Sequence, residues 1–166
     1  MSIRSNRKEE HLTLAQMFFD SQKQNSFDQM HLLRPALPES TVDLKSIQTQ
    51  MFGKKVSAPF FINAMTGGSK KSFKVNQSLG KIANKTQIAL ALGSASILVK
   101  EHSQLDSFLI AREENPDGII IANINAKTSA DDAQAIIDEL NADALQIHLN
   151  SVQEIAMPEG QRDFHS

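Results

Sequence analysis

Two runs decide the fold: Ile119-Ile120-Ile121-Ala122-Asn123 and, beyond a polar interval, Ala144-Leu145-Gln146-Ile147-His148-Leu149-Asn150. Each is a short apolar segment that stops at an amide side chain, the pattern of a largely buried β-strand. Between them Ala133, Ile136, Ile137 and Leu140 recur at the spacing of one helical face. A strand, a helix and a second strand within roughly 30 residues predict a parallel βα unit.

The same unit recurs toward the amino terminus. Residues 59–63 form a short apolar run before Thr66, Gly67 and Gly68, and Val75, Leu79, Ile82 and Ala83 then mark one face of a helix. Residues 88–92 end in Gly93 and Ser94 and precede a helix that turns Leu105, Phe108 and Leu109 inward. Further upstream, residues 4–19 have Asn6 placed as a cap, Glu9 three residues on, and Leu12, Ala15 and Phe19 at helical spacing: a charged arm that becomes an amphipathic helix. Residues 27–55 carry Pro35, Pro38, some alternation over 41–44 and Gly53 as a turn residue, so they are expected to be loops with one short hairpin. The whole of 1–166 is expected to be one domain, with 1–55 as arm and connector and 56–166 as four βα units.

Polar residues are not spread evenly over that repeat. Thr66, Ser94, Asn123, and Asn150 with Gln153 and Glu154 fall at or just past the carboxyl ends of the strands, whereas Asn115-Pro116-Asp117-Gly118 at the opposite end is a bland turn. Ligand sites of parallel α/β folds lie at the carboxyl end. Residues of this kind also stop strands and cap helices, yet four successive strand ends with the same character favour a site. No Gly-x-Gly-x-x-Gly turn follows the first strand, which disfavours an open dinucleotide-binding sheet. The expected class is therefore α/β of the TIM (β/α)8 barrel type, here an incomplete half-barrel of about four strands behind an amino-terminal arm.

Composition narrows the chemistry. The 166 residues include no Cys, which removes disulfides, thiol nucleophiles and zinc–thiolate sites. Seventeen basic and nineteen acidic residues are interspersed, with a net charge of -2, so no dense cationic field exists for a nucleic acid. No run approaches the roughly 20 apolar residues of a membrane span, and cytoplasm is the expected location.

Several segments together carry a resemblance: Asn6-Arg7-Lys8-Glu9-Glu10-His11, Asn63-Ala64-Met65-Thr66-Gly67-Gly68, Leu92-Gly93-Ser94, Ala122-Asn123, Gln146 to Asn150, Gln153-Glu154, and Met157-Pro158-Glu159-Gly160-Gln161-Arg162-Asp163-Phe164. In this order they are similar to the type 2 isopentenyl-diphosphate isomerase family. The resemblance implies a TIM barrel that binds FMN, uses reduced flavin regenerated with NADPH, requires Mg²⁺, and interconverts isopentenyl and dimethylallyl diphosphate in isoprenoid biosynthesis. It implies that reduced flavin, not a side chain, is the acid/base centre. Arg7, Lys8 and His11 would meet the diphosphate, Gln153 would contact substrate, and His148 and Asn150 would wall the site. Glu154 would hold Mg²⁺. Ala64, Met65 and Thr66 would lie along the flavin ring, with Ser94 and Asn123 as donors to it.

Family members are about twice this length, and their later strands bring a lysine toward the flavin and loops to its phosphate. Four strands with two open edges therefore predict that this chain pairs with another copy, as a homo-oligomer, or forms part of a longer product. Two other readings share the pattern: an inactive half-barrel serving as an assembly module, and a different FMN-dependent barrel oxidoreductase. The latter gives no reason for the Arg7-Lys8 arm or the Gln153-Glu154 pair.

Overall fold

The structure, a computed structural model, describes residues 3–33, 36–37, 41, 43–156 and 162–163. An amino-terminal helix α1 (Ile3–Met17) leads into a connector and a hairpin of β1 (Thr49–Met51) and β2 (Lys54–Val56). Then follow β3 (Phe61–Ile62), α2 (Lys70–Thr86), β4 (Ala89–Ala91), α3 (Asp106–Glu114), β5 (Ile120–Asn125), α4 (Ala130–Leu140), β6 (Ala144–His148) and α5 (Ser151–Ala156). Strands β3, β4, β5 and β6 make one parallel sheet in sequence order, with no strand stepping over its neighbour. The expected α/β repeat is present: four parallel strands with three intervening helices, consistent with part of a barrel.

Strand alternation creates two apolar layers. Leu90, Leu92, Ile120, Ala122 and Ile124 pack with Phe108, Ala111, Ile136 and Leu140 of the helices. Ala89, Ala91, Ile119 and Ile121 point the other way and meet Val56 of the hairpin, with Met51 and Ala144 at the margin. Phe108 is fully buried, and its burial alone contributes roughly 2–3 kcal/mol. The hairpin thus covers the amino-terminal part of the sheet face that carries no helices.

Local sequence accounts for the element ends. Ser69 accepts from Ser72 N to start α2, and Ser129 accepts from Asp132 N to start α4. Both helices close on a residue in the left-handed region, Gln87 at φ 54° and Asn141 at φ 46°. The hairpin turns through Phe52 and Gly53, both at positive φ, as a two-residue turn requires.

Several expectations need correction. Helix α1 begins at Ile3, so Asn6 lies inside it rather than capping it, and Ala15 and Phe19 are exposed while Leu12 is half-buried. The inward stripe is instead Ser5, Lys8 and Leu12, because the arm touches the body on a polar-centred face. On α2 the fully buried residues are Ser72, Asn76, Gly80 and Ala83, with Val75 and Leu79 half-buried and Ile82 exposed. Small side chains let α2 approach α3: a Cβ on Gly80 would come 2.9 Å from the Ala111 carbonyl oxygen. The one short hairpin expected within 27–55 is present as β1 and β2, and ahead of it Asp43 caps a 3₁₀ turn, Leu44–Ile47. Pro35, Pro38, Val42, Met157 to Gln161 and Phe164 lie outside the described residues.

The bland turn also proves to be a junction. Arg112 donates to the carbonyls of Asn115, Pro116, Gly118 and Asn141, and to Asp143 Oδ2 at 2.7 Å. Lys54 reaches Asp143 Oδ1 at 2.7 Å, and Ile120 N donates to Asp143 Oδ2 at 2.9 Å. One carboxylate therefore ties the hairpin, the end of α3 and the starts of β5 and β6. Burial would raise its pKa, but Lys54, the Ile120 amide and Arg112 outweigh that and hold it below its ordinary 3.8. A depressed carboxylate contributes stability that is fully present above its unfolded value and is lost as pH falls through the folded one. Asp143→Asn should cost about 2 kcal/mol at neutral pH. In urea unfolding the gap between the two proteins should close as pH falls below about 4.

Candidate functional site

At the carboxyl end of the sheet the uncovered face opens into a pocket of about 560 Å³, within the range of roughly 300–1,000 Å³ typical of small-molecule sites. Strand parity fills it with polar groups. On β5 the side chains following Ile119 and Ile121 on that face are Asn123 and Asn125; on β6 those following Ala144 are Gln146 and His148. All four line the pocket.

One flank is the 63–69 loop, fixed from behind. Thr66 and Ser69 both hydrogen-bond the buried Ser72 hydroxyl, at 2.8 and 2.7 Å. Gly68 N donates to Ser107 Oγ at 2.8 Å, and Asn76 Nδ2 donates to the Ser107 carbonyl at 2.7 Å. Gly93 N donates to Thr66 O at 3.0 Å, and a Cβ there would sit 2.4 Å from the Thr66 carbonyl carbon. Glycine is thus required where β4 passes the loop. Held this way, Ala64, Met65 and Thr66 line the pocket, and Met65 leaves 70% of its surface exposed.

The other flank is the arm. Lys8 Nζ donates to Ser94 O at 2.8 Å and stands 5.5 Å from the Phe108 ring centre, while Glu9 Oε1 accepts from Lys71 N at the start of α2. These contacts hold α1 across the strand ends and bring Arg7, Lys8, His11, Leu12 and Ala15 to the pocket. Glu154 approaches from α5, its N–H donating to Asn150 O at 3.0 Å.

Of the residues singled out from sequence, Arg7, Lys8, His11, Ala64, Met65, Thr66, Ser94, Asn123, His148 and Glu154 meet in this one pocket. Asn150 lies beside it, outside its lining, and Gln153 shares α5, its side chain being outside the described part. Asn123 differs in setting: the strand does not stop there but runs on through Ile124 and Asn125, leaving the Asn123 residue 3% exposed. Sequence reading assigned no role to Asn63, Ser96, Asn125 and Gln146. Ser96 hydrogen-bonds Thr128 Oγ1 at 3.0 Å and accepts from Asn125 N at 3.0 Å, fastening the β4 and β5 ends together. The signal for Asn125 and Gln146 was the two-residue period itself.

Sheet, arm and pocket define a parallel α/β protein with a pocket at the strand carboxyl ends, edged by cationic side chains. No protein-family model matches the chain. Its relatives do give it a context: it is 45% identical over 166 residues to the isopentenyl-diphosphate delta-isomerase of Limosilactobacillus reuteri, covering 99% of this chain and 48% of that one. It is 41% identical over 164 residues to that of Latilactobacillus sakei, covering 99% and 47%, and 41% identical over 162 residues to that of Listeria welshimeri, covering 98% and 45%. The chain spans about half the length of the curated relatives it matches.

Gly93→Ala should lower stability by about 2 kcal/mol or more, since neither backbone can yield without breaking the Gly93–Thr66 hydrogen bond. Urea unfolding of the two proteins measures it, and equal midpoints would mean the loop is not held there.

Proposed function

We propose that these residues form the amino-terminal half of a type 2, FMN-dependent isopentenyl-diphosphate delta-isomerase with a TIM-barrel fold. The observation that carries this is the convergence of Arg7, Lys8 and His11 with Met65, Asn123, His148 and Glu154 in one pocket, in a chain similar over its whole length to about half of proteins named isopentenyl-diphosphate delta-isomerase. The barrel reading draws support from the sequential parallel order and from the two outer strands, where Phe61 of β3 and Ile147 of β6 are exposed. A further set of βα units, from continuing chain or from a second copy, would cover them.

The residues present suit the groups this activity needs. Met65 offers a polarizable apolar surface to a planar ring, while Ser94 just past β4 and Asn123 within β5 line the same pocket as polar partners for its edge. The Arg7 guanidinium fork and the compact Lys8 charge suit a diphosphate. Among the described residues no three His, Asp or Glu side chains surround a metal position. In the pocket lining Glu154 matches the habit of Mg²⁺, which is held through one or two carboxylates together with substrate phosphates and water. Reduced flavin, when bound and regenerated with NADPH, supplies a group able to give and take a proton; the side chains orient the diphosphate and exclude water. No helix among the described residues is long and apolar enough to cross a membrane, and a cytoplasmic homo-oligomer fits the proposed role.

The test is an isomerisation assay on the protein purified from its own cells, supplied with isopentenyl diphosphate, FMN, NADPH and Mg²⁺. Dimethylallyl diphosphate should form. Glu154→Gln should lower kcat/KM by about 100-fold or more and weaken the Mg²⁺ dependence, whereas Asn123→Ala should loosen FMN by about tenfold in a fluorescence titration. A wild-type protein that forms no product under these conditions would overturn the reading.

A further inference from the structure

Three neighbouring side chains on the pocket face of β5 and β6 form a hydrogen-bonded chain in which Gln146 is the member given no role above. Asn123 Nδ2 donates to Gln146 Oε1 at 2.7 Å, and the other end of that amide, Oδ1, lies 3.2 Å from His148 Nδ1. Asn123 and Gln146 are register partners across the strands, and His148 is the next residue of β6 on the same face. With the Asn123 residue 3% exposed, water does not compete for its amide.

An amide donates only from its nitrogen and accepts only at its oxygen. With Nδ2 committed to Gln146, Oδ1 is what remains for His148, and Nδ1 must then carry the imidazole proton. In the neutral ring Nε2 holds a lone pair, the reverse of the tautomer an imidazole favours in water. His148 lines the pocket, so Nε2 is the polar atom left for it to offer there.

We propose that Gln146 is a positioning residue: acting through Asn123, it holds His148 in the Nδ1–H tautomer, so that the ring presents a hydrogen-bond acceptor to the pocket. The chemical class of the facing group follows. It is one with a proton to give, such as a ring N–H, a hydroxyl, a water or a protonated phosphate oxygen; a fully ionised phosphate oxygen at that point would require a second proton on the ring. This last consequence rests on the isomerase reading, whereas the tautomer does not.

The experiment is long-range proton–nitrogen NMR on protein labelled with ¹⁵N-histidine, in mildly alkaline buffer and without flavin, metal or diphosphate. The His148 signals are assigned by their loss in His148→Gln. In the wild type Nδ1 should appear at the shift of a protonated ring nitrogen and Nε2 at that of an unprotonated one. Gln146→Leu should return the ring to a mixture dominated by Nε2–H. Gln146→Glu, which when ionised can only accept from Asn123, should keep the proton on Nδ1. A wild-type ring protonated on Nε2 would mean that the chain runs the other way and would overturn the proposal. So would an unchanged tautomer in a folded Gln146→Leu protein. Because no ligand is present, either result leaves the isomerase assay to be judged separately.

Discussion

The structure depends on one constraint: side chains of a strand alternate across the sheet, and parallel register carries that alternation in phase from β4 through β6. Along β5 and the residue before it, Ile120, Ala122 and Ile124 face the helices while Ile119, Ile121, Asn123 and Asn125 face away from them. On β6, Ala144, Gln146 and His148 share that second face. A slip of one residue would exchange the faces, burying amides against α3 and α4 and turning isoleucine into the pocket. Apolar packing on one face therefore fixes the chemistry of the other.

The two ends of the uncovered face are held by different means. At the amino end the hairpin supplies Val56 to an apolar layer, and Asp143 with Arg112 and Lys54 binds hairpin, helix end and strand starts. At the carboxyl end short hydroxyl side chains do the holding: Ser72 behind Thr66, Ser107 behind Gly68, Ser96 between β4 and β5. Small side chains take up little of the cavity, so the loops are fixed and the pocket stays open. Rigid support beneath variable strand-end groups is the arrangement that lets such folds carry chemistry.

Much of this was legible in the sequence. Apolar runs ending at Gly93 and Asn150, with Ala133, Ile136 and Leu140 between strands, gave the repeat because burial on both faces leaves few polar residues inside a strand. The site was legible where a strand end met a polar group, as at Thr66 and Ser94. It was less so where polarity belongs to the strand itself: Asn123 read as a terminator, although the strand continues through Asn125. On the arm and on α2, packing turns small or polar residues inward. Apolar periodicity therefore named Phe19 and Ile82, which are exposed, and passed over Ser5, Ser72 and Asn76, which are buried.

The sequence by itself determined the order of elements, the polarity of the strand ends and the segments similar to the isomerase relatives, because each is a local property of spacing and residue type. Only the tertiary structure decided that Arg112, Asp143 and Lys54 would meet, that Lys8 would reach the carbonyl of Ser94 86 positions away, and that Asn123 would stand between Gln146 and His148. Those contacts join residues far apart in the chain. Their geometry is set by strand register and by how closely α1 and α2 approach the sheet, which no local pattern encodes.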